Sequence, residues 1–209
     1  MADRLSRAFF ERSPVEVAPD LLGCLLTSVG PEGSVTLRLT ETEAYCGMDD
    51  PASHAYRGPS PRNQVMFGQA GHLYVYFTYG MHYCANAVCG EDGVAGGVLL
   101  RAAEVVGNEE LARTRRPKIR RSSGLARGPA CLTMTAGIGR DDLGADLCAP
   151  DSRIYLQPRP YDVTVVAGPR VGVSRAADVP WRFWVDGDPT VSAYKRSPRA
   201  DLEAEPGHI

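Results

Sequence analysis

The chain has 209 residues, 44% of them hydrophobic and 23% charged, with a formal net charge of −2. This is the composition of a globular protein with room for one sizeable core, and it lacks the overall basic balance of a non-specific nucleic-acid binder. No apolar run reaches the roughly 18 residues a membrane helix needs, and "MADRLSRAFFERSPVEV" at the N-terminus has no signal-peptide core, so a cytoplasmic protein is expected.

In chain order, "APDLLGCLLTSV" (18–29) predicts a short helix running into a strand. "SVTLRLTETEAY" (34–45) alternates apolar and polar residues and predicts a second strand. On strict alternation residues 35, 37, 39, 41, 43 and 45 share one face, which starts with Val35, Leu37 and Leu39 and ends in Glu41, Glu43 and Tyr45. Such a row either delivers carboxylates to a pocket wall or twists out into solvent, and periodicity alone does not choose. The loop "GMDDPASHAYRGPSPRN" (47–63) adds Asp49, Asp50 and His54. With Glu43 these match no familiar ligand spacing, so no metal is expected and the aspartates read as loop residues.

"GHLYVYFTYGMHYCANAVC" (71–89) predicts an aromatic hairpin around a Tyr79–Gly80 break, with Phe77 in the core and Tyr79 at the tip. An aromatic hairpin tip is similar to the side-chain wedges that unstack DNA, and Asn86 on the return strand could offer an amide to a base edge. "GVLLRAAEVV" (97–106) predicts a buried strand, and "GNEELARTRR" (107–116) and "GPACLTMTAGI" (128–138) predict helices. Residues 113–127 carry seven basic side chains and no acid, which fits either a solvated loop or a phosphate-binding surface. "RIYLQ", "VTVVA", "RVGVS" and "RFWV" predict short strands. The six cysteines form no C-x-x-C pair and are expected to be buried, reduced thiols. Only Lys118 and Lys195 stand against 21 arginines, a bias compatible with a GC-rich bacterial genome.

"ETEAY" (41–45), "ASHAYRG" (52–58), "SPRNQVMF" (60–67), "LYVYFTYGMHYCANAV" (73–88), "VLLRA" (98–102), "RGPACL" (127–132) and "RVGVS…PWRFWV" (170–185) occur in the order of the alkyladenine (3-methyladenine) DNA glycosylase family, which the chain resembles over about residues 8–195. The resemblance implies a monofunctional glycosylase of base excision repair that flips alkylated or deaminated purines out of double-stranded DNA. Glu43 is then the general base for the attacking water, with Arg101 beside the water and backbone phosphate. Tyr45, His54 and Tyr76 are the walls around the base, Asn86 rejects a normal guanine, and Tyr79 is the wedge. Met81, Arg62 and Arg127 are the candidates for DNA-backbone contact. The implied protein is a cofactor-free monomer working on nucleoid DNA. It departs from the family at Cys131, where many members have lysine after Gly-Pro-Ala, at Cys46 after ETEAY, and at "LTMTAGI", which puts substrate affinity more in question than reaction type.

The expected fold is therefore α/β (α+β): a single domain over 1–209 with a curved, mainly antiparallel sheet flanked by helices, a protruding aromatic hairpin, and a frayed tail from about residue 200. Cleavage of an N-glycosidic bond builds positive charge on the sugar, which one ionised carboxylate stabilises while orienting water. The shortage of lysine in the pocket segments argues against a Schiff-base lyase. The alternatives from other classes are a damaged-DNA-binding protein without catalysis and a metal-dependent hydrolase built on the acidic loop.

Overall fold

The strand predicted at 34–45 is the spine of the molecule. In the computed structural model, which describes residues 3–78 and 80–200, β2 spans Gly33–Tyr45 and is buried without a break from residue 37 to residue 44. Its length gives it three partners, all antiparallel. β5 (Gly97–Gly107) runs along one edge, while β1 (Leu25–Gly30) takes the first half of the other edge and β9 (Arg182–Val185) the second.

The rest of the sheet grows outward from these. The hairpin of β3 (Leu73–Thr78) and β4 (His82–Val88) joins β5, and β7 (Ile154–Gln157) joins β1. The two-residue β6 (Ala126–Arg127) pairs with β5, and β8 (Val165–Gly168) with β9. The main path runs β3-β4-β5-β2-β1-β7, and its two ends do not pair, so the sheet stays open rather than curling closed.

Among the described residues, four short α-helices lie among the strands: α1 (Arg7–Phe10), α2 (Pro14–Asp20), α3 (Glu109–Arg115) and α4 (Pro129–Ala136). Each of the longer three carries its own end signals. Pro14 opens α2 and the Glu16 carboxylate accepts from the Ser13 N–H at 3.2 Å. Asn108 caps α3 through Leu111 N–H at 3.2 Å, with two glutamates in the first turn and two arginines in the last, matching the helix dipole. Gly137, at φ +66°, ends α4. Val17 and Ala18 of α2, Leu111 of α3 and Leu132 of α4 pack with Val35, Leu37, Leu39, Val98 and Leu100 of the sheet in one apolar cluster.

Strict alternation along β2 fails at residue 40, and this decides where the acids go. Leu39 pairs with Ala103 and Glu41 with Ala102, adjacent residues of β5 that point to opposite faces, so Thr40 is the extra residue of a β-bulge. A second break follows, because Glu41 pairs with Ala102 and Thr42 with Leu100, leaving Arg101 unmatched. Val35, Leu37, Leu39 and Ala44 therefore belong to the core, whereas Glu41, Glu43 and Tyr45 face the other way. The single continuous face expected from the sequence is corrected. Without the bulges, two carboxylates would continue an apolar row into the core, where an ionised group is costly to bury.

Three further expectations are corrected. Phe77 is not core: it is 50% exposed, and it packs on Tyr83 at 5.1 Å near the free end of the hairpin, while Tyr74 is buried instead. "RVGVS" forms no strand, because Val171 spends its N–H on a carboxylate and Gly172 sits at φ +71°. All six cysteines are free, but only Cys24, Cys84 and Cys89 are buried, and Cys46, Cys131 and Cys148 are half-buried. No helix is long and apolar enough to cross a membrane among the described residues.

Candidate active site

The end of β2 delivers two carboxylates with different fates. Glu41 has no exposed surface and accepts four hydrogen bonds: from Arg101 Nε at 2.9 Å, Arg182 Nε at 2.7 Å, Ser192 N–H at 2.8 Å and Ser192 Oγ–H at 2.9 Å. Burial works against its charge, but Arg101 and Arg182 outweigh burial and hold its pKa below the ordinary glutamate value. Glu41 is thus fully occupied as an anchor.

Glu43 is equally buried and less well paired. Its Oε2 accepts from the Tyr45 hydroxyl at 2.8 Å and from Arg101 Nη1 at 3.3 Å, and its Oε1 accepts from the Val171 N–H at 2.7 Å. Here burial outweighs the single arginine and the two hydrogen bonds, so its pKa stands above the ordinary value. Arg101 bridges the two acids, and their charges hold it protonated despite its burial. Two carboxylates on one strand face, one lowered and one raised in pKa, is the pattern that separates an anchor from a proton acceptor.

A cavity of about 380 Å³ opens in front of this cluster. Tyr45, His54, Met66, Tyr74, Tyr76, Cys84, Asn86, Leu99 and Arg101 line it, together with Pro129 and residues 171–175. The bulge at Arg101 and the register of the hairpin bring these together, since Tyr74 pairs with Asn86, Asn86 with Leu99, and Leu99 with Glu43 across four strands. His54 packs edge-on against Tyr76, with ring centroids 4.5 Å apart, and its Nδ1 lies 3.2 Å from the Tyr74 hydroxyl. Burial against these rings and then the nearby Arg62 charge lower the His54 pKa, although part of the ring is exposed, so its neutral form is favoured. Glu43 does not line the cavity and stands one layer behind it, covered by Tyr45, Arg101 and Val171.

Residues 8–189 match the family described as methylpurine-DNA glycosylase (MPG). The chain belongs to the methylpurine-DNA glycosylase family. A protein of Streptomyces avermitilis named "Putative 3-methyladenine DNA glycosylase" is 53% identical over 196 residues, covering 91% of this chain and 92% of its own. Proteins of the same name from Rhodococcus jostii and Burkholderia lata are 50% and 46% identical, covering 95% and 90% of this chain and 87% and 90% of their own. A methylpurine-DNA glycosylase is a hydrolase of N-glycosyl bonds with DNA as its substrate.

Among the residues singled out in this glycosylase sequence, Tyr45, His54, Tyr76, Asn86 and Arg101 share the cavity and Glu43 lies directly behind it. Arg62 reaches the same place, its guanidinium 5.9 Å from the Tyr76 ring centroid. Met81 is 70% exposed on the hairpin, and exposed Arg127 donates from Nε to the Val191 carbonyl at 2.8 Å. Tyr79 lies outside the described residues. Asp50 lies in the loop as expected, but it is not a solvated loop residue: it forms a fully buried bidentate pair with Arg170, at 2.5 and 2.9 Å. Arg170, Val171, Arg182 and Ser192 escaped sequence reasoning. Their partners lie more than a hundred residues away, and no local pattern marks such a pairing.

Proposed function

We propose that this chain is a monofunctional glycosylase that flips damaged purines from duplex DNA into the cavity and hydrolyses their N-glycosidic bond with water activated by Glu43. The observation that carries this reading is the raised-pKa Glu43 held behind an aromatic cavity by Arg101 and Tyr45. A carboxylate there faces the charge that develops on the sugar, and its elevated pKa suits proton acceptance from water. Glu43 is covered, so the reaction needs one water admitted between Tyr45 and Arg101 as the sugar docks.

Tyr45, His54 and Tyr76 would take the base. Their aromatic faces attract the positive charge of an N-alkylated purine by about 0.5–2 kcal/mol, and a neutral His54 adds no repulsion. Asn86 would exclude normal guanine, and Tyr79 would fill the gap left in the duplex, offsetting unstacking of a few kcal/mol. Met81, Arg62 and Arg127 would meet the backbone. Lys118 and Lys195 are both absent from the cavity lining, which supports hydrolysis without a lyase step. One domain acting as a monomer on bacterial chromosomal DNA suffices for this chemistry. The test is a duplex bearing a single 3-methyladenine, hypoxanthine or 1,N6-ethenoadenine, followed by alkaline cleavage of the abasic product. Release of at least one base is expected, and release of none overturns the reading.

A further inference from the structure

The Tyr45 ring lines the cavity, and behind it lies a second charged group that does not. The Arg170 guanidinium sits 4.7 Å from the Tyr45 ring centroid and 5.2 Å from that of Trp181. It has no exposed side-chain surface, so Tyr45 separates it from the cavity. Arg170 Nη1 donates to the Ala44 carbonyl at 3.0 Å, and its Nε has no hydrogen-bond partner among the described residues. Asp50, also without exposed side-chain surface, grips Nη1 and Nη2 and further accepts from the Cys46 and Ala52 N–H groups at 3.2 and 3.1 Å.

Resting on the base-binding role of Tyr45 given above, we propose that Asp50 and Arg170 are a specificity-determining pair. Arg170 braces the buried face of Tyr45, and Asp50 cancels its charge so that the open face still accepts a positively charged base. The pair acts through Tyr45 and touches no reacting atom. A base stacked on the open face would stand about 8 Å from the guanidinium. At the effective dielectric of a protein interior, an uncompensated unit charge at that distance changes the affinity for a cation by about tenfold or more. A neutral base feels no comparable effect, so the pair controls the ratio between cationic and neutral lesions rather than activity as a whole.

The experiment compares binding and single-turnover release for duplexes with one 3-methyladenine, which is cationic in DNA, against duplexes with one hypoxanthine or 1,N6-ethenoadenine, which are neutral. Asp50→Asn should lower the cationic-to-neutral ratio by about tenfold or more. Arg170→Gln, which leaves the Asp50 charge, should move the ratio the other way, and the double variant should return it to within about threefold of wild type. Equal losses on both lesion classes in Asp50→Asn would reduce the pair to a purely structural role and overturn the inference. If Asp50→Asn does not fold by circular dichroism, an unchanged ratio in Arg170→Gln overturns it instead. A wild-type protein that binds and releases none of the three bases defeats the underlying base-excision reading, before any variant is compared.

Discussion

Glu41 and Glu43 differ by one position on the same face, and their partners give them opposite chemistry. Glu43→Gln is expected to keep lesion binding and lose base release, read by band shift and alkaline cleavage on the same duplex. Because burial raises the Glu43 pKa, the proton leaves at a higher pH than from an exposed glutamate. The acid limb of the kcat/KM profile should therefore lie above the ordinary value of about 4.3. Arg101→Met removes the nearest compensating charge and should push that limb higher still. Glu41 has the opposite sign: its folded pKa is depressed, so its contribution to stability is present above the unfolded value and lost as pH falls through the folded one. Glu41→Gln leaves two buried arginines short of their acceptor and should lower unfolding stability by about 3–5 kcal/mol in denaturant titration. The variant should also lose less of its remaining stability than wild type on acidification.

At the scale of elements, the paired irregularities at Thr40 and Arg101 turn a core strand into a strand that ends at a site. Deleting Thr40, the extra residue, would make Leu39 and Glu41 neighbours and so keep them on opposite faces, while removing the local bend and the buried Thr40–Thr190 hydroxyl contact. A cooperative thermal transition at a lower midpoint is the expected outcome, and loss of cooperative unfolding would show that the core needs the bulge itself and not only the facing it sets. The turn after β2 is equally constrained. Gly47 has φ +61°, and a Cβ there would lie 2.0 Å from the Ala95 carbonyl oxygen. Gly47→Ala should destabilise by more than about 2 kcal/mol through backbone strain and collision, measured by the shift in denaturant midpoint at constant slope. The basic segment over residues 113–127, which begins in the last turn of α3, is only partly free. Arg113 pairs with Glu109 four residues earlier and donates to Ser122, and Arg115 Nη1 donates to the Thr135 carbonyl at the end of α4.

For the whole molecule, a net charge of −2 makes the placement of charge decisive for DNA binding. Lys118, Arg120, Arg121 and Arg127 are exposed, as is Arg62 beside the cavity. If these residues meet phosphate, affinity falls steeply with salt, and the double variant Arg120→Ala, Arg121→Ala should reduce the log–log slope by up to about 2. An unchanged slope would take those two arginines out of the interface. Much of the order of elements was legible, because strands and helices carry local signals such as the alternation over 34–45 and Gly128-Pro129 at the start of α4, whereas α1 and the Ser13-Pro14 start of α2 were not read from the sequence. Two of the failed assignments show the non-local reason plainly. The stretch from Arg170 to Ser174 has strand-like residues, yet its backbone is drawn to Glu43, and Phe77 has a core residue's chemistry at a position that no layer covers.

Composition, alternation and motif order were enough to determine a globular α/β chain, a mainly antiparallel sheet, and membership of a glycosylase family. These follow from short-range signals, in which each residue's neighbours along the chain carry the information. Only the folded molecule decides that Glu41 is saturated by Arg101, Arg182 and Ser192 while Glu43 keeps a raised pKa, and that Asp50 is buried with Arg170 behind Tyr45. Those pairings join residues 60 to 151 positions apart. A carboxylate's charge state is set by the burial and partners it finds across such distances, and periodicity along one strand contains neither.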